Sequence, residues 1–72
     1  MRKFQNYQVV TDKGKRGRIV GFDGRVSLYV VEFEQKPLLG HSGYGLGRPG
    51  MCLLVSGRQM QAVKTNARPQ KN

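Results

Sequence analysis

Apolar residues in this chain come in short clusters broken by glycine and charge, and no cluster recurs at the three-to-four spacing of a helix. Residues 7–10, 16–22 and 26–33 read as three strands, the last with Val, Leu, Tyr, Val, Val and Phe among its eight positions. Asp23-Gly24, between the second and third, predicts a two-residue type I′ hairpin, a turn that needs positive φ at both central residues. Residues 51–56 read as a fourth strand and 61–64 as a short fifth, with residues 57–60 forming a tight turn or one turn of 3₁₀-helix. Ten glycines and three prolines oppose long helices.

A period of two puts Tyr29, Val31 and Phe33 on one face of the third strand and Leu28, Val30 and Glu32 on the other. The uncharged first face is the expected core face. Leu28 and Val30 then lie half-exposed and need a loop, a subunit or a partner to cover them. Residues 34–50 form one long glycine-rich loop, a length that in a compact domain often marks function, and Leu38 and Leu39 are its expected anchor to the core. Gly17 and Gly21 supply the bends that a small curled sheet requires. The layout is all-β, a small five-stranded SH3-like barrel over residues 1–64 with one long Gly-rich loop. A basic tail at 65–72, with Pro69 and no aliphatic side chain larger than Ala67, is expected to be disordered. An OB-fold fits less well, because it needs a longer chain and a helix between its third and fourth strands.

Composition sharpens this picture. The chain has 72 residues, 38% of them apolar and none of them Trp, so one domain of modest stability is expected. A dimer partner or a ligand would add to that stability. Cys52 is the only cysteine, which excludes an intramolecular disulfide and points to a reducing cytoplasm. The N-terminal cations have no apolar run behind them, unlike a signal peptide, and no apolar stretch is long enough to span a membrane as a helix. Thirteen Lys and Arg against four Asp and Glu give a net charge of +9. The pI is near 10.5. Such an excess favours a polyanionic partner.

Residues 13–18, Lys-Gly-Lys-Arg-Gly-Arg, concentrate that charge immediately before Ile19-Val20, as a cationic loop at the mouth of a strand. The run Gly14-Lys15-Arg16-Gly17-Arg18-Ile19-Val20-Gly21-Phe22 resembles the KOW element of ribosomal proteins and transcription factors, with Gly17 at the glycine of that pattern. The resemblance implies an SH3-like barrel whose first loop and strands contact RNA or the transcription machinery. More of the chain is similar to small uncharacterised SH3-like bacteriophage proteins: Gly17-Arg18-Ile19-Val20, Tyr29-Val30-Val31-Glu32-Phe33, Gly40-His41 and Met51-Cys52-Leu53-Leu54-Val55. That likeness implies a phage origin and action on a host, but no chemistry. Leu53 and Leu54 stand where those proteins carry aromatic residues.

Other constellations carry less. Gly45-Leu46-Gly47-Arg48-Pro49-Gly50 has the letters of a dinucleotide fingerprint but no βαβ unit around it. His41 and Cys52 have no Asp or Glu between them to complete a metal site, and Cys52 reads as a core residue within an apolar strand. Glu32 and Glu34 share a face, and with Arg25 and Lys36 nearby in sequence they read as solvated ion pairs rather than an acid/base pair. No enzyme activity and no cofactor are expected.

Two functions remain. The first is a non-catalytic nucleic-acid-binding module in which Lys13, Lys15, Arg16, Arg18 and Arg25 contact phosphates. In it, Tyr44 stacks on a base and Arg48 adds a phosphate contact from a mobile loop. With no helix to enter a groove, RNA or DNA binding is expected to be weakly sequence-specific. The alternative is a phage-type protein-interaction module that binds and inhibits an acidic host enzyme, defence protein or transcription protein through Leu28, Val30, His41 and Tyr44. A homodimer is compatible with both.

Overall fold

The computed structural model of the protein describes residues 4–63; Lys64 and the expected tail lie outside them. Five strands form: β1 (Val9–Asp12), β2 (Lys15–Asp23), β3 (Leu28–Phe33), β4 (Cys52–Val55) and β5 (Met60–Ala62). All pairings are antiparallel, in a single sheet ordered β4-β3-β2-β1-β5. The fold is therefore all-β, as the alternation predicts. The expected first strand slides along the chain, because Tyr7 has a φ of 68° and cannot continue an extended strand.

The two hairpins differ from expectation in an instructive way. Asp12 pairs with Lys15, so Lys13-Gly14 is a two-residue loop, with φ of 55° and 83°. Those are the signs of a type I′ turn. The cationic run is thus a tight turn followed by strand, not a flexible loop. At the other hairpin Asp23 pairs with Leu28, which leaves residues 24–27 as a four-residue connection with positive φ at Ser27 rather than Gly24. Asp23 is the cause: its Oδ1 accepts the Arg25 N–H at 3.0 Å and its carbonyl the Val26 N–H at 3.4 Å. A side-chain cap of that kind favours an ordinary turn over the primed one. Val26 is consequently exposed in the turn, and β3 begins at Leu28.

Tyr29, Val31 and Phe33 are buried and do form the core face, together with Phe4, Val10, Ile19, Val55 and Met60. Phe4, just before the strands, closes the core against Tyr29. Its N–H donates to the Tyr29 hydroxyl at 2.9 Å, and the rings of Phe4 and Phe22 stand edge-on to Tyr29 at 5.4 and 4.8 Å. The β2–β3 register jumps between Ile19 and Gly21, leaving Val20 as a bulge. One extra residue reverses which face the following side chains take. Ile19 and Phe22 therefore both reach the core, while Gly21 sits opposite Val30 on the other face.

Val30 corrects the expected half-exposed face, since it is only 1% exposed. Residues 34–51, connecting β3 to β4, fold back over it. Gly43 approaches so closely that a Cβ there would lie 2.6 Å from Val30 Cγ1 and 3.1 Å from Cys52 Sγ. The connection covers Val30 and Cys52 because Gly43 has no side chain to hold it off. Leu28 remains half-buried. Leu38 and Leu39, the expected anchors, are instead 87% exposed each.

The close approaches predict unequal effects from one substitution at two glycines of β2. In Gly17→Ala the new Cβ meets Val31 Cγ1 at 2.7 Å and the Glu32 carbonyl at 2.9 Å, a stiff side chain and a backbone atom. A loss of about 1–3 kcal/mol is expected, at roughly 4–8 °C of Tm per kcal/mol. In Gly21→Ala the Cβ meets the end of Leu46, a side chain more than half exposed and free to turn aside. That variant is expected to stay within about 1 kcal/mol of the parent, since replacing glycine recovers about 0.4–1 kcal/mol of chain entropy. Thermal melts of both check the asymmetry, which equal Tm values would refute.

Candidate functional site

The turn and the first half of β2 carry Lys13, Lys15, Arg16 and Arg18, all exposed. Alternation puts Arg16 and Arg18 on the outer face, since Gly17 and Ile19 face the core. Among the described residues none of these four side chains makes an ion pair. Arg18 lies across from Glu32 in register, and the two line a depression of about 250 Å³ with Glu34 and Arg48. Lys15 and Arg16 line a neighbouring one of about 210 Å³, again beside Glu34.

Arg48 is differently placed. Its Nε donates to Glu32 Oε2 at 2.7 Å, its backbone N–H to Glu32 Oε1 at 3.2 Å and its guanidinium to the Phe33 carbonyl at 3.2 Å. Charge-assisted bonds to one carboxylate from both backbone and side chain fasten the connection to β3. Glu32 thus pairs with Arg48, across 16 residues of sequence, rather than with Arg25 or Lys36. A phosphate approaching Arg48 would have to compete with Glu32. The His41–Cys52 bridge is a second fastening: His41 and Cys52 exchange backbone hydrogen bonds of 2.9 and 3.0 Å. The His41 side chain serves the same turn, its Nδ1 accepting the Gly43 N–H at 2.9 Å. The connection expected to be mobile is therefore tied down at several points.

Arg25 and Tyr44 form a third group at the far end of β2. Eight residue steps separate Lys15 from Asp23, roughly 26 Å at 3.3 Å each. Tyr44 donates its hydroxyl to Asp23 Oδ2 at 2.8 Å, and Arg25 reaches the same carboxylate at 3.4 Å. Only 8% of the Asp23 side chain is exposed, shielded by these neighbours at the surface rather than by depth. The Tyr44 hydrogen bond first, and then Arg25, hold the Asp23 carboxyl below its ordinary range. The same bond, with partial desolvation and the Asp23 charge, pushes the Tyr44 phenol up. The Tyr44 ring remains 59% exposed and lies 6.5 Å from the His41 ring.

The seven residues expected to meet nucleic acid thus fall into three groups: Lys13, Lys15, Arg16 and Arg18 together, Arg48 beside Arg18 but ion-paired, and Arg25 with Tyr44 at the other end. Of the expected protein-contact residues, His41 and Tyr44 are exposed, Leu28 is half-buried and Val30 is covered. Cys52 is buried in β4, and desolvation, then the Glu32 charge, raise its thiol pKa against the opposing effect of Arg48. Such a thiol stays protonated and weakly nucleophilic. Among the described residues no three His, Cys, Asp or Glu side chains cluster, and no helix is long and apolar enough to cross a membrane. Compared with protein-family models, with curated proteins and with solved structures, the chain matches none.

The Asp23–Tyr44 bond has a sign that pH can read. A lowered Asp23 pKa stabilises the fold above the ordinary aspartate value of 3.8 and loses that contribution as pH falls through the lowered one. A raised Tyr44 pKa stabilises below the ordinary 10.0 and is lost as pH rises through the raised one. Asp23→Asn should bring the Tyr44 titration back towards 10.0, followed by NMR of the Tyr44 ring. An unchanged Tyr44 midpoint in that variant would show that the bond is absent in solution.

Proposed function

We propose that this chain is a non-catalytic nucleic-acid-binding module built on a small SH3-like barrel, which holds phosphates with Lys13, Lys15, Arg16 and Arg18. The barrel reading is supported by the strand order, in which β1 lies between β2 and β5, and by the tight turn before β5. The KOW-like run falls on the β1–β2 hairpin and the bulged strand after it.

One observation carries the function. Arg25 and Arg48 each have a carboxylate partner, whereas the four cations of the hairpin and β2 have none among the described residues and stand exposed on paired backbone. Their backbone is already ordered on the hairpin, so binding a phosphate chain orders only the side chains. The described residues contain no helix to enter a groove, so the phosphates supply affinity and base identity matters little. Arg25 and Tyr44 add a second contact only for a strand long enough to reach them. The alternative, a phage-type inhibitor of a host protein, drew on an exposed Leu28–Val30 pair, a long adaptable loop and a basic surface; of these, Val30 is buried and the loop is tied down, while the basic surface remains.

Fluorescence anisotropy with a twelve-nucleotide single strand, titrated with salt, tests this reading. Each single-stranded phosphate contact contributes about −0.7 to the slope of log K against log salt, so Arg16→Ala with Arg18→Ala should flatten the slope by about 1.4. Arg48→Ala should leave the slope nearly unchanged. No binding at low salt, or a slope indifferent to the Arg16 and Arg18 substitutions, rejects the proposal.

A further inference from the structure

Three bulky residues adopt the left-handed backbone conformation: Tyr7, Leu39 and Tyr44, with φ of 68°, 60° and 60°. All three are also exposed, by 72%, 87% and 59%. A left-handed conformation costs a residue with a side chain about 1–2 kcal/mol, and glycine would remove the cost. Two of the three have a return within the fold. The Tyr7 N–H bonds the Ile19 carbonyl at 2.6 Å, and the Tyr44 hydroxyl bonds Asp23 at 2.8 Å. Leu39 stands with Leu38 in a turn, makes no hydrogen bond among the described residues, and has its side chain in solvent beside an equally exposed Leu38. Backbone strain of this kind clusters at functional sites.

The surroundings of this pair indicate what it receives. Leu38 is one wall of a depression of about 210 Å³ whose other apolar lining is Phe33, Pro37 and Leu53. Lys13 and Lys15 stand at the same depression. Asp12 is its one acidic group, and the two lysines outnumber it, so the net charge around the depression is positive.

We propose that Leu38, Leu39 and this depression dock an acidic segment of a partner protein that carries one large apolar side chain. The apolar side chain fills the space between Leu38 and Leu53, and the flanking carboxylates meet Lys13 and Lys15. A nucleic acid would engage the two lysines but leave the leucines bare, and base stacking calls for an exposed aromatic platform, whereas Phe33 is 3% exposed. A lipid surface would meet the leucine tips but leave the concave lining by Leu53 unfilled. Because Lys13 and Lys15 also belong to the phosphate-binding set, the acidic segment and an oligonucleotide compete for the chain. The leucines belong to the segment alone.

Selection of a random twelve-residue peptide display library on the full chain provides the test, with the selected peptides then measured by anisotropy. Enriched peptides should combine Asp or Glu with Leu, Ile, Phe, Met or Trp. Leu38→Ser should weaken them at least tenfold. Leu39→Gly should raise Tm by relieving the left-handed leucine while also weakening the peptides, which separates lost contact from lost folding. Neither variant should alter the salt slope for the oligonucleotide. The proposal is overturned if no peptide is enriched, if the enriched peptides lack acidic residues, or if Leu38→Ser and Leu39→Gly bind them as the parent does. Binding to vesicles of phosphatidylserine and phosphatidylcholine that Leu39→Gly abolishes, with no peptide selected, would assign the leucines to a lipid surface instead.

Discussion

A single unpaired residue, Val20, sets the arrangement of everything built on β2. Without the bulge, strict alternation would put Ile19 and Gly21 on one face and leave Phe22 in solvent. With it, Ile19 and Phe22 both serve the core, and Gly21 presents a bare backbone on the outer face where Leu46 lies over it. The outer face of the same strand then carries two unlike surfaces in sequence: the arginines at its start and the covered glycine near its end. A core on one side and a folded connection on the other together give a 72-residue chain two layers of packing from one sheet.

Charge is distributed by the same economy. Two of the four acidic residues, Asp23 and Glu32, each hold a cation and a distant part of the chain at once. Glu32 fastens the connection through Arg48, and Asp23 shapes the β2–β3 turn while gripping Tyr44. As ion pairs at the surface these contribute little stability individually. Their positional effect is larger, because they decide which cations are already partnered. A count of Lys and Arg overstates the free cations: among the described residues Arg25 and Arg48 are partnered, whereas Lys13, Lys15, Arg16 and Arg18 on the hairpin and β2, together with Lys36 and Arg58, are not.

Sequence pattern revealed most where one rule acted alone. The core face of β3 was legible because that strand has no bulge and one of its faces carries no charge. The five strands were legible because β-branched and aromatic clusters are separated by glycine. The pattern placed a primed turn at Asp23-Gly24, where the Asp23 side chain caps an ordinary turn instead, and overlooked the one at Lys13-Gly14. It misjudged Val30 and Leu38 together, for one reason: the connection is held by glycine contacts and a carboxylate bond, so its leucines were not needed as anchors. The Glu32–Arg48 and Asp23–Tyr44 contacts bridge 16 and 21 residues, and no local pattern announces a bond of that span.

The glycine-faced cover over Cys52 has a dynamic consequence. Gly43 and Gly47 lie against the sulfur with no side chains of their own, so the thiol meets solvent only when residues 34–51 lift from the sheet. Its rate of modification is then governed by the free energy of that local opening rather than by global unfolding. The chain carries its own chemical clock for the one segment whose fastening depends on Arg48.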